Sequence, residues 1–192
     1  MDFNSYKQTL NSSLDKLNYS EIERFLDLLV DAYQNDKFVF VIGNGGSAAN
    51  ASHLAQDLAK GTRHSNEQKK RLRALSLTDN LPFITAQGND VGYDTIFVQQ
   101  LRTYANKGDY LIAISGSGNS PNIVQAIDWA NNNGLTTIGI TGFDGGKLKK
   151  MAHHSVNVEL NDMCTSESIH SIIFHYVILE LRERLKDLSA GC

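Results

Sequence analysis

The chain has 192 residues, 41% hydrophobic and 20% charged, with a formal net charge of −3. That balance fits one folded domain with a substantial core. It excludes a global basic field for nucleic acid, and no apolar stretch approaches membrane-spanning length.

Two cysteines, Cys164 and Cys192, lie far apart and in no paired motif. They read as thiols of a reducing cytoplasm rather than a disulfide framework. The opening Met1-Asp-Phe-Asn-Ser has neither the basic nor the apolar part of a signal peptide. A cytoplasmic protein is the expectation.

Residues 3–35 carry helical periodicity, with Leu10, Leu14 and Leu17, then Ile22, Phe25, Leu26, Leu29, Val30 and Tyr33, at three- and four-residue steps. Asn18-Tyr-Ser20 breaks the run into two helices, and Ser20 is expected to cap the second through a Ser-x-x-Glu box ending at Glu23. This arm has no place in a minimal sheet sandwich. It is either a partner-facing pair or packs back on its own domain.

Phe38 to Ile42 is apolar on both faces, the pattern of a strand covered on two sides. Gly43-Asn44-Gly45-Gly46-Ser47 follows and opens a helix that ends near Gly61. Glycines let the backbone turn sharply and approach a ligand, and a helix N-terminus suits an anion. Asn44 to Ser47 is therefore a candidate binding loop. A nucleotide P-loop needs Lys-Ser/Thr after its last glycine, and none stands here. Gly43-x-Gly45-x-x-Ala48 does match a dinucleotide fingerprint, but Asp79 lies well past the acidic position that pattern requires. No nucleotide cofactor is expected. On the same helix His53 and Asp57 are spaced i, i+4 and share a face.

Residues 62–72 read as a polar loop, and Lys69-Lys-Arg-Leu-Arg73 as solvated surface. Arg73 to Leu77 is a second strand, Asp79 to Gln87 helical, Gly88-Asn-Asp90-Val-Gly-Tyr93 a turn, and Thr95 to Asn106 an amphipathic helix. Asp109 to Ile114 is a third strand. Its exit, Ser115-Gly116-Ser117-Gly-Asn-Ser120-Pro, repeats the opening device, with Ser120 as N-cap and Pro121 at the first helical position. Leu135 to Ile140 and His154 to Leu160 are further strands, separated by the Thr141-Gly-Phe-Asp-Gly-Gly146 loop and a short helix. His153 and His154 are structural or solvated. The chain is helical from about Thr165 to Leu188, with Glu167, Ser171 and His175 in one stripe. Strand–helix alternation predicts an α/β fold with a five-stranded, mostly parallel sheet flanked by helices, ligands collecting at the carboxyl ends of the strands. His53, Asp57, Glu167 and His175 form a set suited to a divalent metal or proton transfer; from spacing alone the two helices need not meet.

These motifs resemble the sugar isomerase (SIS) domain family, and within it the phosphoheptose isomerases, over essentially the whole chain. The likeness implies a three-layer SIS sandwich in a single domain of residues 1–192, with a helical arm (1–35) and an α/β core (36–192). It implies a homotetramer with active sites between subunits, zinc in several members, and an aldose–ketose isomerase acting on sedoheptulose 7-phosphate for surface polysaccharide. By position, Ser47, Ser115, Ser117 and Ser120 would hold the sugar phosphate, with Gly45, Gly46 and Gly116 shaping the loops. Asn44 and Asp90 would line the sugar site, and Glu167 is expected among the substrate-binding residues as well. His53 matches a zinc ligand, Asp57 the catalytic glutamate, Glu167 a glutamine ligand and His175 the catalytic histidine. Cys164 replaces a common aspartate, and Lys60-Gly61 the usual Gly-Arg. Metal is then expected at His53, Asp57, Glu167 and His175, and proton transfer at Asp57 and His175. The alternative is a non-catalytic SIS protein that senses phosphosugars or docks on other proteins, as one type does on the bacterial replication initiator. Such proteins tend to lose the acid–base residues, which this chain keeps polar.

Overall fold

Five strands, β1 (Phe38–Gly43), β2 (Arg73–Ser76), β3 (Tyr110–Ser115), β4 (Thr136–Gly142) and β5 (His154–Val158), form one sheet in the order β2-β1-β3-β4-β5. Every neighbouring pair is parallel. The structure, a computed structural model, describes residues 2–65 and 68–189. Cys192 lies outside the described residues. The helices are α1 (Phe3–Leu14), α2 (Tyr19–Gln34), α3 (Gly46–Gln56), α4 (Leu81–Asp90), α5 (Val98–Tyr104), α6 (Pro121–Asn132), α7 (Gly146–Met151) and α8 (Met163–Ser189). The chain belongs to the doubly wound class, and its order reverses between β1 and β3. That switch point is where such sheets bind ligands.

Side chains alternate across the sheet, as a period of two requires. Val39, Val41, Tyr110, Ile112, Ile114, Ile138 and Ile140 join α2, α3 and α8 in one apolar cluster. Phe40, Ile42, Leu111 and Ala113 face the other way, toward residues of α5, α6 and α7. The central strands β1 and β3 are therefore apolar on both faces, and Gly139 lets α7 approach β4 through Leu148 and Ala152.

The arm divides in its roles. α2 packs back on the domain through Phe25, Leu26, Leu29, Ala32 and Tyr33, all buried, and Arg184 of α8 ties it down through Glu23 and Asp27. α1 buries no residue. The cap of α2 is Asn18, whose side chain accepts the Ser20 amide, so the expected Ser20 box is displaced by two residues. An amide oxygen two residues earlier satisfies a free N–H of the first turn in the same way. α4 starts after Asn80, whose side chain accepts the Phe83 amide, and runs through Gly88 to Asp90, where the Val91 and Gly92 amides close its end on the Gln87 carbonyl. α5 begins at Val98, after a 3₁₀ turn at Tyr93–Thr95. His153 and His154 are structural: the first bonds Thr137 and the second the Glu21 carbonyl. In the basic run, Lys70 donates to the Gln34 carbonyl and Arg73 pairs with Asp36. No helix among the described residues is long and apolar enough to cross a membrane.

Candidate active site

Two loops at the carboxyl ends of β1 and β3 form the walls of a cavity of about 250 Å³. Its lining includes Asn44, Gly45, Gly46 and Ser47 on one side and Ser115, Gly116, Ser117 and Ser120 on the other. Gly43 permits the first turn, since a Cβ there would overlap the Ser47 carbonyl, and Gly45 adopts φ 56°. In the second loop Gly118 takes φ 63°, and its amide closes a turn on the Ser115 carbonyl at 3.0 Å. Ser120 is the N-cap of α6 by backbone geometry but makes no side-chain capping bond. Asn44 is fixed by a reciprocal amide pair with Asn122, both bonds 2.9 Å, and by the Tyr93 hydroxyl at 3.0 Å. A larger, more open depression of about 610 Å³ lies at Phe143, Asp144 and Glu159–Asn161 and holds none of the expected site residues.

The first turns of α8 close the cavity from above. Asp162 starts this helix by accepting the Thr165 amide at 2.7 Å. Bonds from the Thr165 hydroxyl and amide hold its carboxyl below the usual range. Met163 lies against Gly116, and Glu167 against Gly46, where in each case a Cβ would overlap the side chain. The Glu167 carboxylate stands 3.4 Å from the Ser47 hydroxyl, at the N-terminus of α3, where the helix field favours an anion.

Further along the same helix pair stands a second group. His53 Nε2 lies 3.2 Å from Asp57 Oδ2, and the His53 and His175 rings meet edge to face at 5.1 Å. One ligand atom from each of His53, Asp57 and His175 lies within 4.8 Å of the others. Asp57 opens a single π-helical turn, Asp57–Gly61. Such turns recur at functional sites because they break the i, i+4 ladder locally. The donors suit a divalent ion: two ligands of a tetrahedral zinc stand about 3.3 Å apart, and three protein ligands leave a position for substrate. Glu167, expected as a fourth ligand, is not in this group; it belongs to the cavity. Asp90 is exposed at the end of α4, accepts from Asn89, and does not line the cavity. Asp79, too distant for the dinucleotide pattern, accepts from the Ser52 hydroxyl on α3.

Tyr93 was read only as the end of the Gly88–Tyr93 motif, and three contributors escaped the sequence reading: Met163, Asn122 and Asn50, whose amide bonds Glu167 and Ser171 of α8. Of these Asn50 carried a signal, three residues after Ser47 and three before His53 on the same helix.

The SIS domain family model matches residues 2–142. Phosphoheptose isomerase from Aliarcobacter butzleri is 34% identical over 94% of this chain and 93% of its own. Probable phosphoheptose isomerase from Thermoplasma acidophilum is 34% identical over 96% of this chain and 100% of its own. Among solved structures, phosphoheptose isomerase from Neisseria gonorrhoeae superposes with TM-score 0.83 at 29% identity, covering 94% of this chain and 95% of that one. The Francisella tularensis enzyme gives 0.84 at 28%, covering 94% of each. With its fold, its serine loops and these relatives agreeing, the chain belongs to the SIS domain family and, within it, to the phosphoheptose isomerases.

Proposed function

We propose that this chain is an aldose–ketose isomerase that converts sedoheptulose 7-phosphate to a heptose 7-phosphate through an enediol. The observation that carries this reading is the gathering of His53, Asp57 and His175 on the two helices that also border the serine cavity. The names of the relatives supply a phosphoheptose, and the family resemblance its ketose form, sedoheptulose 7-phosphate.

The phosphate is placed in the β3–α6 loop, where Ser115, Ser117 and Ser120 offer hydroxyls and α6 its N-terminal field. The Glu167 carboxylate beside Ser47 would repel a dianion, which moves the phosphate toward α6 and leaves Asn44, Ser47 and Glu167 to the sugar hydroxyls. Binding at this unreacting end orients the carbons that react. Asp57 removes a proton from C1 of the ketose. The electron pair forms the C1–C2 double bond, and the carbonyl oxygen takes a proton from His175. Return of a proton to C2, with loss of the O1 proton, gives the aldose. Zinc or a similar ion held by His53, Asp57 and His175 would supply Lewis acidity at the sugar carbonyl.

Ser47 and Asp57 are separated by about 15 Å of rise along α3. His53 is 52% exposed, and His175 is exposed too. Both facts favour a site in which the cavity of one subunit faces the cluster of another, within a homotetramer. The free, exposed Cys164 suits a reducing cytoplasm. The alternative of a non-catalytic sensor or docking protein has no observation in its favour.

The test is incubation with sedoheptulose 7-phosphate in D₂O. The enediol route predicts isomerisation with solvent deuterium at C2 of the product. No isomerisation overturns the function, and isomerisation that survives unslowed in Asp57→Asn overturns the route.

A further inference from the structure

Helices α3 and α8 run side by side in the same direction, and their contacts form a ladder. At one end the Ser47 hydroxyl faces the Glu167 carboxylate at 3.4 Å. At the other end the His53 ring meets the His175 ring at 5.1 Å. Between them stands Asn50. Its amide nitrogen donates to the Glu167 carbonyl at 3.1 Å, and its amide oxygen accepts from the Ser171 hydroxyl at 2.7 Å. Ser171 also reaches the Glu167 carbonyl, at 3.4 Å.

The two outer rungs consist of groups assigned to ligand binding or chemistry, which must change partners when a ligand arrives. Asn50 and Ser171 themselves belong to neither the cavity lining nor the cluster, and they meet the lining only at the Glu167 backbone carbonyl. Both ends of the Asn50 amide are spent on α8. Asn50 lies three residues from Ser47 and three from His53, and Ser171 lies four from Glu167 and four from His175, so the rung sits at the midpoint of each helix segment. A slip of one residue along α8 would move its side chains about 1.5 Å along the axis and turn them about 100°. Apolar packing alone tolerates small slips, because its contacts are non-directional. A directional amide pair does not.

We propose that Asn50 is a positioning residue: through Glu167 and Ser171 it sets the register of α8 on α3, and so the separation of His53 from His175. This deepens the function proposed for the site and rests on it for the kinetic effect alone.

The experiment compares full-length wild type, Asn50→Ala, Asn50→Asp, Ser171→Ala and Arg184→Gln. The last loosens α8 from α2 without touching the ladder. In crystal structures of Asn50→Ala the His53–His175 ring separation is expected to widen by about 1 Å or more, the scale of a helical step. With sedoheptulose 7-phosphate, kcat per folded molecule is expected to fall about 10- to 100-fold, the cost of misplacing a reacting group, with KM within about threefold. Asn50→Asp, which puts an oxygen against the Glu167 carbonyl, should match it. Ser171→Ala, which keeps the bond to Glu167, should lose about fivefold and serves as the second structure if Asn50→Ala folds poorly. Arg184→Gln should keep wild-type kcat. An unchanged ring separation in Asn50→Ala, or in Ser171→Ala where that is the structure obtained, overturns the proposal, as does equal loss in Arg184→Gln. Absence of isomerase activity in wild type would sink the proposed function instead, and the ring separation would still judge Asn50.

Discussion

The two halves of this site are built differently. The cavity half is backbone: glycine turns shape both loops, Ser47 and Ser115 are 4% and 6% exposed, and Asn44 is held by three hydrogen bonds. The cluster half consists of side chains on helix surfaces, with one 3.2 Å contact between His53 and Asp57 and two exposed imidazoles. A binding site gains from rigidity within its own chain, because less ordering remains to oppose the ligand. Groups that move protons can be completed later, by substrate, metal or a neighbouring subunit. The contrast predicts that damage to the cluster lowers kcat and damage to the cavity raises KM.

The largest expected effect is at Asp57. Asp57→Asn removes the base with almost no change in shape, and kcat should fall about 10²- to 10⁴-fold, with KM nearly unchanged. Steady-state kinetics on sedoheptulose 7-phosphate check this, and a KM effect of the same size would erase the distinction between the halves.

His170 tests the other face of α8. It is fully buried and bonds the Thr141 carbonyl at 3.0 Å, and burial lowers its pKa to about 4. The unfolded chain takes up this proton near pH 6.5, the folded chain only near 4. The contribution of His170 is therefore fully present above pH 6.5 and lost as the pH falls toward 4, about 3 kcal/mol in all. Urea unfolding of wild type and His170→Gln at pH 7 and pH 4.5 should show the smaller acid loss in the variant. Equal acid losses would remove His170 as the cause.

In the cavity, Ser117→Ala should raise KM about tenfold, the value of one hydrogen bond to a charged group, with kcat within about threefold. The smallest effect concerns charge. Glu167→Gln takes a carboxylate from beside Ser47 and should lower KM about two- to threefold, on the scale of a partly exposed charge interaction. A rise in KM would mean that Glu167 binds the sugar more strongly than it repels the phosphate.

Much of this was legible in the residues. The apolar run Phe38 to Ile42 and the serine loop after Ile114 declared buried strands ending in binding turns, because glycine and serine at those places have few structural uses. The stripe Glu167, Ser171, His175 announced one face of a helix. What could not be read was pairing across elements. Glu167 was expected both at the substrate and with the histidines; its place is over Gly46 in the cavity, about two helical turns from His175 along α8. Asp90 was expected in the sugar site, but the extension of α4 leaves it exposed. The Ser20 box failed because Asn18, two residues earlier, had an equally good acceptor. Met163 carried no polar signal at all.

The most direct test is a crystal structure with sedoheptulose 7-phosphate bound. The phosphate should lie within hydrogen-bond distance of Ser115, Ser117 or Ser120, and the first two carbons beside an Asp57–His175 pair from the same or a neighbouring subunit. A phosphate seated elsewhere, or C1 and C2 remote from every such pair in the assembly, would contradict the account.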